Sequence, residues 1–220
     1  MKDRKDTERD YLAALAHDLR APLAAINGFA NAMLDGTAPT EKHADYVRFI
    51  ASESKRMADM VEGLFQLSVL ESRDTVREPF SLAELARIAL LGVSDRLENK
   101  EIEPDICIEE VVAVGDRAST ERAVHNLMDN AAKFVPHGGR LWLKVYGCDG
   151  KAFFELGNSG DAIPKDKLAV IFDKYVGGNR GGGAGLGLYT VKTALNKQGT
   201  DITASSDGNG TVFAFCLPSE

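Results

Sequence analysis

The stretch RAVHNLMDNAAKF, from Arg122 to Phe134, is typical of a helix whose polar residues recur at helical spacing. Asn126 and Asn130 are four residues apart and therefore share one face. Lys133 and Phe134 lie seven and eight residues after Asn126, about two turns further along the helix. Two amide oxygens suit Mg²⁺ and its waters, a lysine offers charge to phosphate, and an aromatic ring can stack on adenine. Taken alone, the pattern also fits a helix whose polar residues face solvent.

A glycine-rich loop follows in GGNRGGGAGLGLYTVK, residues 177–192. Five glycines precede Ala184, and Gly185 and Gly187 lead directly into a predicted helix. Glycines let the backbone approach a ligand, and a helix start offers free N–H groups and a positive dipole end to phosphate. No Gly-Lys-Ser/Thr follows, which excludes a Walker A loop, and no strand directly precedes the loop, which argues against a Rossmann fingerprint. By itself, the loop is equally compatible with a flexible surface segment.

Between these two stretches, LGNSGDAIP (156–164) places an amide side chain, Asn158, two residues before Gly160. The amide can hydrogen-bond a purine base while Gly160 leaves space for the ring. In isolation the segment would be only a turn. The order along the chain is therefore amide helix, purine turn, glycine loop.

The first third of the chain predicts two amphipathic helices joined by the loop DGTAPT (35–40). Apolar or small residues spaced by threes and fours form one seam on each helix: Leu12, Leu15, Leu19, Leu23, Ile26, Ala30 and Met33, then Val47, Ile50, Ser54, Met57, Val61 and Leu64. Such a pair forms an antiparallel helical hairpin. Further apolar residues lie outside the seams: Phe29, Leu34, Met60, Phe65 and Leu67. A second copy would cover them, so we expect a homodimeric four-helix bundle; packing of the hairpin on its own chain is the alternative.

The polar segment ESRDTVREPFSL (71–82) predicts a linker, and the pattern changes after it. A helix begins near Ser81 with Glu84 three residues later, the arrangement of a capping box. Short strand-like runs follow, with a hairpin around Asp149-Gly150 and a last strand pair near the C-terminus. We therefore predict two domains, 1–75 and 80–220, the second an α+β two-layer sandwich with a largely antiparallel sheet.

In this arrangement the chain resembles the sensor histidine kinases over essentially its full length. Five motifs carry the resemblance in the family's order: the H-box AHDLRAPLAAI (16–26), the N-box NLMDNAAKF (126–134), the G1 box GNSGDAIP (157–164), the F-box IFDKY (171–175) and the G2 box GAGLGL (183–188). The resemblance implies a dimerisation and histidine phosphoacceptor domain followed by a catalytic ATP-binding domain. That second fold is shared with DNA gyrase, heat-shock chaperone and mismatch-repair ATPases.

The resemblance implies autophosphorylation of a histidine by ATP and Mg²⁺, then transfer to an aspartate on a response regulator receiver domain. It assigns Asn130 as the Mg²⁺ ligand, and Asn126 as the residue that positions the metal or its water. The implied catalytic residues are His17, Asp18 and Asn126. The implied ATP-binding residues are Asn126, Asn130, Lys133, Phe134, Asn158, Gly160, Ile163, Lys174, Tyr175, Gly183, Gly185, Leu186 and Gly187.

His17 lies between the seam residues Leu15 and Leu19, so we expect it to face solvent. An unperturbed imidazole is mostly neutral near neutral pH, and a neutral nitrogen can attack a phosphoryl group. By the resemblance, Asp18 orients and deprotonates His17. Pro22 lacks the N–H that the Asp18 carbonyl would use and therefore loosens the helix beside the nucleophile.

Two departures from the family pattern concern the chemistry. The family usually has Asp at the position of Asn158 and Gly at that of Ala162, so we expect reduced nucleotide affinity, and an inactive pseudokinase scaffold stays an alternative. Many relatives carry Thr or Asn at the position of Ala21, four residues after the phosphoacceptor, to orient a hydrolytic water. Ala21 has no hydrogen-bonding group, which predicts feeble phosphatase activity.

Other functional classes are disfavoured. A net charge of −7 argues against binding to nucleic acid, and no apolar run is long enough to span a bilayer. The three cysteines show no metal-binding spacing, which fits a reducing, cytoplasmic location.

The chain is expected to be the cytoplasmic core of a longer sensor, or else a kinase that senses through a partner. The hairpin argues against a serine kinase of the anti-sigma type, and Asn126 replaces the glutamate base of gyrase-like ATPases.

Overall fold

The structure is a computed structural model that describes residues 19–174, 176 and 185–220. These residues form two compact units, one up to residue 64 and one from residue 65 onward. Within the described ranges, no helix is both long enough and apolar enough to cross a membrane.

The first unit contains the predicted helical hairpin. Helix α1 covers 19–34 of the described residues, a 3₁₀ turn covers Thr40–Lys42, and α2 covers His43–Ser72. The loop between them is closed by Asp35, whose Oδ1 accepts hydrogen bonds from the backbone N–H and the hydroxyl of Thr37, at 3.0 and 2.6 Å. The phenyl ring of Phe29 packs against α2, with its centroid 4.7 Å from those of Tyr46 and Phe49.

The second unit is an α/β sandwich built on a five-stranded sheet. Its elements are β1 (Glu78–Ser81), α3 (Leu82–Leu91), α4 (Ser94–Glu98), β2 (Asp105–Ile108), β3 (Val112–Gly115), α5 (Arg117–Phe134), β4 (Leu141–Cys148), β5 (Lys151–Asn158), α6 (Lys165–Leu168), α7 (Gly187–Asn196), β6 (Ile202–Asp207) and β7 (Gly210–Pro218). The sheet has the order β2-β4-β5-β7-β6, and β1 pairs with β3 in a separate ribbon. Only the β2–β4 pairing in this sheet is parallel. The predicted sandwich with a largely antiparallel sheet is thus confirmed.

One face of the sheet forms the core. Residues on β4, β5 and β7 alternate between buried and more exposed positions, so that one face of each strand is buried in the core. The buried side chains include Leu141, Leu143, Val145, Phe154, Leu156, Phe213, Phe215 and Leu217. On the opposite face, the indole of Trp142 lies against Gly157, where no Cβ would fit. The hairpin predicted at Asp149-Gly150 is present.

The structure corrects four details of the sequence analysis. The segment predicted as a linker is partly ordered secondary structure, because α2 continues to Ser72 and Glu78–Ser81 pair with β3. The helix that begins after Ser81 is capped as predicted, by a 3.1 Å bond from the Glu84 N–H to the Ser81 hydroxyl, but it breaks into α3 and α4. Leu67 does not need a second copy of the chain to cover it, because its side chain is 1% exposed within the core of the second unit. Phe29 is likewise covered by α2 of the same chain.

Asp116 joins the start of α5 to the segment that follows α2. Its carboxylate accepts hydrogen bonds from the backbone N–H of Ser119 at 2.8 Å and of Val76 at 3.0 Å, and it pairs with Arg73 at 3.3 Å. Burial opposes ionisation of this carboxyl, but the hydrogen bonds from Ser119 and Val76 and the charge of Arg73 outweigh it and hold its pKa below the usual value.

We predict that Asp116→Ala lowers the free energy of unfolding by about 2–4 kcal/mol, because it leaves buried N–H groups without their acceptor. The measurement is urea unfolding followed by the fluorescence of Trp142, the single tryptophan. Since the folded pKa of Asp116 is depressed, its contribution is present above the unfolded pKa of about 3.9 and is lost as the pH falls through the folded pKa.

The control is Asp95→Ala, at an exposed position in the first turn of α4. This variant should lose less than about 1 kcal/mol. An Asp116→Ala variant as stable as the control, or a difference that persists unchanged in acid, would contradict the role given to Asp116.

Candidate functional site

Helix α5 carries the predicted amide pair along one edge of its buried face. Ala123, Leu127 and Ala131 on one face are 0–1% exposed, whereas Asn126 and Asn130 are only partly buried. The helix is held at both ends, by Asp116 at its start and at its other end by Lys100. The Lys100 ammonium donates to the carbonyls of Ala132, Lys133 and Val135 at 2.8–2.9 Å. Burial, and secondarily the charge of Arg96, lowers the pKa of Lys100.

The start of α7 lies against Asn126, the first residue of this amide pair. A Cβ built on Gly187 would be 3.8 Å from Asn126 Oδ1, so the first residue of α7 and the amide are neighbours. Leu186, which precedes Gly187, is buried at 2% exposure and anchors this end of the helix. The N-cap residue, Leu186, makes no side-chain cap hydrogen bond, and no other described side chain accepts from the N–H groups of the first turn of α7. A phosphate group is the kind of ligand that such a helix start binds.

The predicted purine turn lies at the end of β5, beside the end of α5. Asn158 is 6% exposed, and its Nδ2 donates to the carbonyl of Ser159 at 2.9 Å. A Cβ built on Gly160 would be 3.4 Å from the carbonyl oxygen of Phe134. The turn therefore approaches the backbone of α5 next to the Phe134 ring, which is 43% exposed.

Two lysines from the predicted set lie near aromatic rings. Lys133 Nζ is 5.3 Å from the centroid of the Phe134 ring. Lys174 Nζ is 4.7 Å from the centroid of the Tyr189 ring, in the first turn of α7. Ile163 is half-buried and held by a 2.9 Å hydrogen bond from its N–H to the Ser206 hydroxyl.

The structure thus brings together three segments far apart in the chain: the amide face of α5, the turn at Asn158 and the start of α7. Four predicted residues, His17, Asp18, Tyr175 and Gly183, lie outside the described residues. Gly185, the remaining glycine of the predicted set, directly precedes Leu186.

Three neighbours of Asn158 were missed by the sequence analysis. Ser159 binds Arg140 through its N–H and its hydroxyl, each at 2.8 Å. Thr211 is the β7 partner of Asn158 in the strand register and is 6% exposed. Gly210 approaches the Asn158 carbonyl so closely that a Cβ would not fit. The pairing of β5 with β7, which brings Thr211 and Gly210 to Asn158, leaves no local sequence signal.

Comparisons with known proteins agree with this geometry. Residues 7–73 match the family described as the His Kinase A (phospho-acceptor) domain. Residues 115–220 match the family described as histidine kinase-, DNA gyrase B- and HSP90-like ATPase. The sensor protein CreC of Escherichia coli K12 is 30% identical over 214 residues, which cover 96% of this chain and 45% of CreC.

Solved structures show the same relationship. The mycobacterial sensor histidine kinase MprB is 30% identical with a TM-score of 0.58, over 66% of this chain and 99% of that one. The histidine kinase ThkA, solved with the response regulator protein TrrA, shares the fold with a TM-score of 0.81 at 22% identity, over 100% of this chain and 64% of that one.

The chain spans between a quarter and just under half of the length of the first curated relatives it matches. The two matched families follow the same order along the chain as the two units of the structure. The second unit contains the ATPase-type fold. The chain therefore belongs to the sensor histidine kinase family.

Proposed function

We propose that this protein is a histidine kinase that autophosphorylates His17 with ATP and passes the phosphoryl group to an aspartate on a response regulator receiver domain. The observation that carries the proposal is the position of Asn126, one turn before Asn130 on α5, against the start of α7 in an ATPase-type fold. Amide oxygens and free backbone N–H groups are suited to the metal and the phosphates of a nucleotide.

Each part of the site has a role in this proposal. Asn158 and Gly160 receive the adenine, with Ile163 on the segment behind it, and the exposed Phe134 ring covers the base. We assign Lys133, Lys174 and Tyr175 to the phosphates, where the two lysines would neutralise charge. We assign the lid over the phosphates to Gly183, Gly185, Leu186 and Gly187. In phosphoryl transfer, such positioning and charge stabilisation supply most of the rate acceleration.

The residues present fit a Mg²⁺ ion. Asn130 would coordinate it, and Asn126 would position it or a bound water, as hard oxygen donors for a hard ion. Within the described part of the chain, no group of three or more His, Cys, Asp or Glu residues could hold a metal. The remaining ligands would therefore be water and phosphate oxygens. When bound, the ion would neutralise charge on the phosphates.

The transfer step uses His17 as the nucleophile. The neutral ring nitrogen forms a bond to the γ-phosphorus, and the bond from that phosphorus to the bridging oxygen breaks, so that ADP leaves with the electron pair. The proton on the other ring nitrogen passes to Asp18, which acts as the base. Pro22, within α1, removes one helical hydrogen bond next to this pair.

The assembly proposal rests on apolar side chains that the hairpin leaves in contact with solvent. Leu34, Val61, Val47 and Leu23 are 85, 55, 53 and 45% exposed. Covering these side chains with a second copy is favourable because apolar area leaves water, which supports a homodimeric four-helix bundle. We further propose domain limits of 1–75 and 80–220, and a role for this chain as the cytoplasmic kinase core of a longer sensor.

The first prediction of this proposal concerns the nucleophile. Incubation with γ-labelled ATP and Mg²⁺ should label the parent with phosphate that is labile in acid and stable in base, and His17→Ala should carry none. The matched control is His43→Ala on α2, which should label like the parent. Label that survives in His17→Ala would contradict the assignment, and nucleotide binding without any label would favour the scaffold alternative.

A second prediction concerns the metal. Asn130→Ala should lower labelling by roughly 10- to 100-fold and raise the Mg²⁺ concentration needed for half-maximal rate, because one oxygen donor is lost. Binding of ADP without Mg²⁺ should change little.

The control for this variant is Asp129→Ala, one residue earlier, where an exposed carboxylate pairs with Arg96 at 3.1 Å. That variant should label normally. An Asn130→Ala variant with an unchanged Mg²⁺ requirement would remove Asn130 from the metal site.

A third prediction concerns phosphate removal. Since Ala21 cannot orient a water, the parent should dephosphorylate a phosphorylated receiver domain no faster than His17→Ala does. Ala21→Thr, at an exposed position of α1, should accelerate this reaction while leaving autophosphorylation intact. Fast dephosphorylation by the parent would show that another residue supplies the hydrolytic geometry.

A further inference from the structure

The side chain of Lys100 binds the end of α5 through three hydrogen bonds. Its Nζ donates to the backbone carbonyls of Ala132, Lys133 and Val135, at 2.9, 2.9 and 2.8 Å. An ammonium group has three N–H donors, so each donor has one carbonyl oxygen to bind. Carbonyls at the end of a helix have no partner within the helix and carry the negative end of its dipole. One positive side chain therefore satisfies three of these groups.

The turn that ends α4 holds the backbone of Lys100. The N–H of Glu101 donates to the carbonyl of Glu98 at 2.9 Å, and the N–H of Ile102 donates to the carbonyl of Leu97 at 3.0 Å. This is the pattern of a Schellman turn, which requires the left-handed backbone that Glu101 adopts, with φ of +56°. Leu97 and Ile102 are 3 and 6% exposed, so the core anchors both sides of the turn.

The segment that Lys100 binds also lies against the turn at Gly160. The carbonyls on either side of Phe134 accept hydrogen bonds from Lys100 Nζ. The Phe134 carbonyl itself lies near Gly160, where an added Cβ would be 3.4 Å from its oxygen. The backbone carbonyl of Lys100 accepts a further hydrogen bond, from the Gly138 N–H at 2.8 Å. Lys100 thus holds the end of α5 and the loop that follows it.

We infer that Lys100 is a positioning residue of the kinase, which acts through the backbone of α5 to hold Lys133 and Phe134 where the nucleotide binds. This inference rests on the proposed function, which assigns both side chains to ATP. Loss of the ammonium would leave three carbonyls without their donor and would loosen the last turn of the helix. Asn126 and Asn130 precede this turn on a helix whose apolar face is buried, so their positions would be kept.

The test is calorimetric titration of the full chain with ADP, together with the dependence of autophosphorylation on ATP. Lys100→Met keeps an aliphatic side chain and removes the three donors. We expect this variant to bind ADP about tenfold more weakly than the parent and to raise the KM for ATP by a similar factor, because charge-assisted hydrogen bonds are lost. The kcat should stay within about threefold of the parent's. The Mg²⁺ concentration for half-maximal rate should be unchanged, because the amide pair is not displaced.

A second, milder variant is Lys100→Arg. It keeps the positive charge at the helix end, but its N–H groups lie in a planar fork and cannot all converge on three carbonyls as an ammonium does. We expect an ADP affinity between those of the parent and Lys100→Met. An affinity no better than that of Lys100→Met would contradict the role given to the charge.

Two controls separate positioning from a general loss of stability. Lys151→Met removes the same charge at an exposed position, at the opposite end of β5 from Asn158, and should bind ADP like the parent. Asp116→Ala loosens the other end of α5 and should lose stability without a tenfold loss of ADP affinity. An equal loss in Asp116→Ala, or a raised Mg²⁺ requirement in Lys100→Met, would show a general loosening and overturn the inference.

The parent and Lys100→Met together distinguish the two levels of the argument. Equal ADP affinity of the two proteins overturns the inference and leaves the proposed function standing. A parent that binds no ADP overturns the proposed function, and this inference with it.

Discussion

The second unit depends on one constraint: helix α5 supplies side chains both to the hydrophobic core and to the candidate site. Its apolar face, with Ala123 and Leu127, is completely buried, so the helix cannot rotate without opening the core. The helical period then fixes Asn126 and Asn130 along one edge of this face, where both are partly buried. Asp116 and Lys100 satisfy the backbone groups at the two ends of the helix, which prevents fraying where Lys133 and Phe134 lie. The packing of the core therefore also restrains the side chains of the proposed nucleotide site.

The sheet positions Asn158, the residue proposed to bind the base, as the core positions α5. Asn158 is the last residue of β5, and its register with Thr211 on β7 is set by the buried pairs further along the two strands. Gly210 allows the β7 backbone to approach, and Ser159 fixes the amide. Asn158 stands where the family usually has aspartate. The Ser159 carbonyl accepts a hydrogen bond from its uncharged amide, and Gly210 leaves room for its backbone.

Helix α7 lies between the part of the candidate site at Asn126 and the segment that follows α2. It begins beside Asn126, and just after its end Lys197 donates to the carbonyls of Leu70 and Arg73, at 2.6 and 2.8 Å. These carbonyls belong to the unpaired end of α2, where a positive charge is favourable. Next to it, the buried Gln198 accepts from the Asp116 N–H at 2.8 Å. Helix α7 and the two residues after it thus contact Asn126 of the proposed nucleotide site, the cap of α5 and the end of α2.

Local sequence patterns determined the helices, the hairpin at Asp149-Gly150, the cap at Ser81 and the order of the motifs, because each depends on residues close together in the chain. They also determined that Asn126 and Asn130 share a face. Tertiary structure alone decided that Leu67 is buried in its own chain, that Glu78–Ser81 form a strand, and that Ser159 and Thr211 flank Asn158. The burial of Leu67 and the pairings of these strands depend on contacts between residues distant in sequence, and the bond to Ser159 depends on a rotamer, so no local pattern specifies them.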